Sequence, residues 1–164
     1  MNRFGSRLWL IPLSMLIHNL EEYPRIVAYA RRHGVGIDRR QMGIAVLLAT
    51  LLPIPVVAAA SQQPTNRRRM QLALAIPALM ALNAGTHMAQ TIALQDYSPG
   101  TITGITVNMP LAIWLYREAL REGVLTAPEL RQAALLGCGM LTPAALILLL
   151  LGWLIDHLLQ PGSV

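Results

Sequence analysis

Apolar residues along the chain are gathered into five stretches, separated by short charged or turn-forming segments. An α-helix needs about 20 apolar residues to cross the hydrocarbon core of a bilayer. Four stretches reach this length and predict membrane-spanning helices, although Pro53 and Pro55 would kink the first of these four. The four are Met42 to Ala60, Met70 to Leu94, Thr101 to Leu120 and Ala133 to Ile155. Thr126 and Glu129 have the spacing of a capping box, which predicts that the last helix begins there.

The first apolar stretch, Leu8 to Leu20, is shorter than the other four. It either forms a short helix that thins the bilayer, or continues past Glu21 and Glu22 toward Arg31, with both carboxylates inside the membrane. In the second case Pro24 would bend the helix. Basic residues before an apolar run also outline a signal peptide, but no small-x-small cleavage site follows directly, so we expect a retained helix.

The composition agrees with a bilayer as the solvent of this chain. Of the 164 residues, 54% are hydrophobic and 13% are charged, whereas about a quarter of the residues of a soluble domain are charged. The net charge of +5 comes from arginines that flank the apolar stretches, and without a recognition motif these favour membrane anchoring over nucleic-acid binding. We predict an all-α fold, a polytopic membrane helix bundle of about five transmembrane helices, forming one domain over residues 1–164.

The distribution of arginines predicts the orientation of this bundle. Five crossings would place the termini on opposite sides, which we name side A, where the chain begins, and side B. Eight arginines fall on side A and five on side B, so the positive-inside rule favours side A as cytoplasmic. The predicted location is the bacterial plasma membrane, as a multi-pass protein surrounded by lipid.

Three predicted helices carry polar residues at helical spacing within apolar sequence. Residues three and four apart lie on one face of a helix, so these residues should form polar stripes. Each stripe lies toward side B, and we therefore expect the three to meet. They consist of Ser14, His18, Glu21, Glu22 and Arg25; of Asn83, His87, Gln90 and Thr91; and of Tyr97, Thr101, Gly104 and Asn108.

Three elements of these stripes occur in a recognisable order. They are HNLEE (His18 to Glu22), the lone histidine within a later apolar stretch, His87, and YSPG (Tyr97 to Gly100). Together they resemble the HXXEE-domain family of predicted membrane proteins, which has an H-x-x-E-E motif, a further histidine and a Y-x-P-G motif in this order. The resemblance implies that these residues matter, and it implies no particular reaction.

The residue types themselves indicate metal chemistry. Zinc enzymes commonly hold the metal with three protein ligands, for example two histidines and a glutamate, and leave a position open for water. His18, Glu22 and His87 provide such a set, which also suits non-haem iron. We predict a divalent metal ion, zinc or iron, bound by these three residues.

Neighbouring residues are candidates for catalysis. In the H-x-x-E-H motif of inverted zinc proteases, the glutamate three positions after the first histidine is the general base. By this analogy Glu21 would be the base, and Tyr97 or Asn83 would polarise a carbonyl or support a ligand. Simpler interpretations are an interfacial cluster around His18, an interhelical hydrogen bond from His87, and an aromatic belt position for Tyr97.

Three functions follow from these interpretations. The first is a metal-dependent, membrane-embedded hydrolase that acts on a lipid-like or apolar substrate. The second is a proton- or cation-coupled transporter in which the same residues form a relay. The third is a non-catalytic membrane subunit. The sequence has no duplicated halves, which argues against the common transporter plan, although a homo-oligomer would restore the symmetry.

Overall fold

The computed structural model describes residues 3–159, and all regular structure within this range is helical. The helices form five segments, as the apolar pattern predicts. Their bounds are α1 Arg3–Arg7 and α2 Leu10–Arg32, α3 Arg39–Leu51 and α4 Pro53–Gln62, α5 Arg67–Leu94, α6 Thr101–Thr103 followed by a π-helical turn Gly104–Asn108 and α7 Met109–Arg121, and α8 Ala127–Leu159.

Among the described residues, three helices are long and apolar enough to cross a membrane. They are Arg39–Gln62 with 24 residues, Arg67–Leu94 with 28 and Ala127–Leu159 with 33. The first of these consists of α3 and α4, and Pro53 stands at the first position of α4, where its missing N–H costs no helical hydrogen bond. The first and fourth segments do not meet the same criteria of length and apolarity.

Helix α2 answers the question that the first apolar stretch left open. It runs for 23 residues from Leu10 to Arg32 and contains both Glu21 and Glu22. Pro24 lies inside the helix without ending it. The longer of the two predicted helices is therefore the one that forms.

Side-chain caps start three of the helices. Asp38 accepts hydrogen bonds from two backbone N–H groups of the first turn of α3, at 2.7 and 3.3 Å. Asn66 accepts one from Arg69 at the start of α5. The N–H of Thr126 donates to Glu129 at 2.7 Å, which confirms the reciprocal half of the predicted capping box.

The tightly packed apolar core fills the side A half of the bundle. It joins the start of α2, the end of α4, the starts of α5 and α8, and the end of α7, and its largest fully buried members include Phe4, Leu8, Met70, Leu74 and Leu115. Arg7 closes this end through ion pairs with Glu118 at 2.8 Å and Glu122 at 2.5 Å. The polar residues described next lie toward side B.

Candidate metal centre

The histidines and the second glutamate predicted as ligands lie together. One ligand atom from each of His18, Glu22 and His87 lies within 4.8 Å of the other two. His18 Nε2 is 3.5 Å from Glu22 Oε2, and His87 Nε2 is 3.9 Å from Glu22 Oε1. Both histidines are buried, with 4% and 6% of their surface exposed. The first and second polar stripes thus meet at these residues, as expected, while metal binding by the three residues stays a prediction.

A hydrogen bond at Nδ1, the ring nitrogen opposite the one that faces Glu22, fixes the orientation of His87. Its Nδ1 lies 2.9 Å from Ser98 Oγ, and that hydroxyl donates its own hydrogen to Gln90 Oε1, also at 2.9 Å. Ser98 must therefore accept the hydrogen of His87 Nδ1, so a neutral ring carries its proton there. Nε2 is left with a free lone pair, and this atom is buried without a hydrogen-bond partner.

His18 adopts the same tautomer for a similar reason. The Asn83 Nδ2 group, which can only donate, lies 3.2 Å from His18 Nε2. In a neutral ring Nδ1 must then carry the proton, and it lies 3.1 Å from Thr103 Oγ1. Metal-binding histidines commonly donate from one ring nitrogen to a fixed oxygen, as Nδ1 does here, and direct the other nitrogen at the ion; in His18 that other nitrogen accepts the hydrogen bond from Asn83.

Glu21 lies away from the cluster formed by His18, Glu22 and His87. Adjacent residues of a helix point about 100° apart, and the carboxylate of Glu21 faces the turn that begins α6. It accepts hydrogen bonds from the Tyr97 hydroxyl and from the backbone N–H groups of Gly100, Ile102 and Thr103, at 3.1, 3.3 and 2.7 Å for the last three. Glu21 thus caps the fourth helical segment. The catalytic roles predicted for Glu21 and Tyr97 are left untested by this geometry.

The turn that Glu21 holds comes unusually close to both imidazoles. Gly100 has a φ of +95°, in the region that favours glycine. A Cβ at this position would lie 2.7 Å from His18 Cε1, and 3.2 and 3.3 Å from the Nε2 atoms of His18 and His87. Only a residue without a side chain leaves room at this face of the cluster.

A second set of contacts ties the loop before this turn to the end of α2. Asp96 accepts hydrogen bonds from Arg32 Nη2 at 2.8 Å and from His33 Nε2 at 3.1 Å, and these bonds lower the pKa of Asp96. Burial and the hydrogen bond to Glu21 raise the pKa of Tyr97, which keeps the phenol protonated as a donor. The loop is therefore anchored to α2 at two points.

A cavity of about 510 Å³ adjoins the cluster. It lies between α2, α3, α5 and α8, and its wall is mostly apolar. His18, Glu22 and His87 all form part of this wall. The volume is in the range of pockets that take small-molecule ligands.

Comparison with known proteins identifies the family. Residues 9–115 match the model of a family described as "Protein of unknown function with HXXEE motif". The chain belongs to this family. No curated protein and no solved structure matches the chain. In this HXXEE protein the motif divides into two parts with different surroundings, since His18 and Glu22 face His87 while Glu21 faces the turn.

Sequence reasoning missed two residues that position the site. Ser98 and Thr103 hold the Nδ1 atoms of His87 and His18, respectively. Ser98 lies inside the YSPG motif, but no role of its own was assigned to it from the sequence. The predicted contact between the second and third stripes does form, because Thr91 Oγ1 lies 3.0 Å from Thr101 Oγ1.

Proposed function

We propose that this HXXEE protein is an integral protein of the bacterial plasma membrane, and that His18, Glu22 and His87 bind a divalent metal ion in a membrane-embedded, hydrolase-type active site. The observation that carries the proposal is the meeting of three electron-pair donors. Two imidazole Nε2 atoms face one carboxylate, and the Nε2 of His87 has no hydrogen-bond partner. A buried group of acceptors of this kind is stabilised by a cation.

The distances support a metal ion after small adjustments. A tetrahedral zinc ion with bonds of about 2.1 Å holds its ligand atoms about 3.4 Å apart. The 3.5 Å between His18 Nε2 and Glu22 Oε2 already agrees, while His87 Nε2 lies 3.9 Å from the other oxygen, Oε1. One ligand atom from each residue lies within 4.8 Å of the other two, so the His87 ring would have to move toward the ion. Asn83 would have to release His18 Nε2, since the metal takes the same lone pair. The ligand set suits zinc and iron alike.

The cavity beside the cluster favours an apolar substrate, because its wall is mostly apolar and includes Glu22. A divalent ion bound there would activate water and polarise a carbonyl. In this proposal Glu21 and Tyr97 position the turn, since hydrogen bonds occupy both oxygens of Glu21. Lipid would surround the exposed apolar residues of α8, such as Leu146, Leu150 and Trp153, and homo-oligomers are compatible with such a surface.

Metal analysis of the purified protein tests the proposal. We expect the wild type to hold about one zinc or iron ion per chain, and the variants His18→Ala, Glu22→Ala and His87→Ala to lose most of it. His157→Ala is the matched control, because His157 stacks on Trp153 outside the cluster, and it should keep the metal. A wild type that binds no divalent ion, or ligand variants that keep it, would exclude the metalloenzyme.

A second function, coupled transport, is favoured by one observation. Glu22 lies between the two histidines, within 3.5 Å of one and 3.9 Å of the other, so a proton could pass along the three groups. Proteoliposomes with a pH-sensitive dye inside would reveal such a relay. Acidification that depends on Glu22 in metal-free protein supports transport, and equal rates for wild type and Glu22→Gln exclude it.

A further inference from the structure

Asn108 is a buried polar residue that the proposed metal site does not use. Only 1% of its surface is exposed, and neither amide atom has a hydrogen-bond partner. Burying an amide with both atoms unpaired is costly. Asn108 also lines the cavity, and although its amide atoms have almost no exposed surface as the side chain stands, a rotation of that side chain would present the amide to a molecule bound there.

The local backbone accounts for the position of this amide. Asn108 ends the π-helical turn Gly104–Asn108, and such turns inside α-helices are frequent at functional sites. Gly104 packs so closely on α5 that a Cβ there would lie 2.8 Å from the Cβ of Ala84 and 3.8 Å from His18 Cε1. Asn108 follows Gly104 by about one helical turn, so it lies closer to side A than His18 does.

The cavity is long. Tyr29 lines it as well, and at a rise of 1.5 Å per residue Tyr29 lies about 16 Å from His18 along α2, toward side B. The exposed residues His33 and Val35 belong to the wall near Tyr29, so this end opens outward. An extended chain therefore fits better than a compact molecule.

The charges in the wall select the head group of that chain. Glu22 is the one carboxylate among the lining residues, and they include no arginine. In the protein without a metal ion, an anionic head group would thus meet one carboxylate and no arginine in this wall. The amide of Asn108, which donates and accepts, suits a neutral group that does both, such as a hydroxyl or a carboxamide.

We propose that the cavity binds a neutral, single-chain amphiphile whose hydroxyl or carboxamide group pairs with the Asn108 amide, while its chain extends past His18 and Glu22 toward Tyr29. This inference goes beyond the proposed enzyme: it concerns an occupant of the cavity and not the molecule that would be hydrolysed, because an alkyl chain beside His18 and Glu22 offers no bond for water to cleave. Binding itself requires no metal, so it can be measured on metal-stripped protein and can fail independently of the metal site.

The experiment uses tritium-labelled hexadecanol and metal-stripped protein in detergent, with hexadecane and palmitate as unlabelled competitors. We expect hexadecanol to compete at least about tenfold better than either, because one satisfied hydrogen bond contributes roughly that factor. Asn108→Leu keeps the approximate size and removes the amide. It should weaken hexadecanol binding about tenfold and leave hexadecane binding unchanged.

A second pair of variants tests the cavity itself and does not depend on the stability of Asn108→Leu. Ala49→Trp places a large ring in the wall and should abolish binding of every chain, whereas Ala58→Trp, on α4 and outside this cavity, should not. Equal affinity for hexadecanol and hexadecane, or an unchanged preference in Asn108→Leu, would overturn the inference. A preference for hexadecanol in metal-stripped wild-type protein that Asn108→Leu abolishes would support it even if no metal is found.

Discussion

Gly100→Ala tests whether the close approach of the turn to both histidines shapes the site. The change adds one methyl group at a residue whose φ is +95°. The new Cβ would lie 2.7 Å from His18 Cε1 and within 3.3 Å of both Nε2 atoms. Either the turn or the His18 ring must then move. The added methyl group also fills the space beside the Nε2 atoms of both histidines.

The expected loss of unfolding free energy in Gly100→Ala has two parts, which a control variant can separate. A left-handed backbone costs a residue with a Cβ roughly 1–2 kcal/mol, and the steric overlap adds about 1–3 kcal/mol of overpacking. Gly123→Ala is the matched control, because Gly123 has a φ of +65° with no atom within 4 Å of the added Cβ. It should show the first cost alone.

The assays are thermal unfolding in detergent and zinc titration of the stripped protein. We expect Gly100→Ala to be less stable than Gly123→Ala by about 1–3 kcal/mol, and to bind zinc at least about tenfold more weakly than wild type. Gly123→Ala should bind zinc normally. If Gly100→Ala matches Gly123→Ala in both assays, the turn does not shape the metal site and our account of Gly100 is wrong.

Three further predictions concern the turn, its anchor and the topology. In a double-mutant cycle, Glu21→Gln and Tyr97→Phe should show a coupling of about 0.5–3 kcal/mol in unfolding free energy, because the two side chains share a hydrogen bond; strict additivity would deny that contact. Hydrogen bonds from Arg32 and His33 lower the pKa of Asp96. These bonds should therefore stabilise the fold above the ordinary pKa of an aspartate, and the stabilisation should be lost as the pH falls through the lowered pKa. The stability difference between wild type and Asp96→Asn should therefore vanish in acid, and a difference that persists there would refute this assignment. Reporter fusions at residues 65 and 97 should report opposite sides of the membrane, with residue 65 cytoplasmic; a common side would refute the helix arrangement.

Much of the fold could be predicted from the sequence because its signals are local. An apolar stretch of membrane length forms a helix whatever its neighbours are, since its backbone groups can only be satisfied within the segment. The capping box at Thr126 and Glu129 is likewise read from four consecutive residues. The shared depth of His18 and His87 followed from counting residues along neighbouring helices.

Which of Glu21 and Glu22 lies beside the histidines, and which accepts the hydrogen bonds of the turn, could not be predicted in the same way. Both glutamates lie within one turn of His18, and the spacing alone allows either to face it. The tertiary structure decides, because the backbone N–H groups at the start of α6 need an acceptor and Glu21 is the carboxylate that reaches them. Glu22 is then left beside the histidines.

The sequence by itself determined five helical segments, the polar stripes and the set of residues that could bind a metal. The tertiary structure alone decided which hydrogen bonds orient His18 and His87, that Gly100 must lack a side chain, and that Asn108 faces a cavity. The physical reason is the range of the interactions. Helix formation and amphipathic spacing depend on neighbours within a few residues, whereas the bonds to Ser98 and Thr103 and the π-helical turn depend on how separate helices pack against one another.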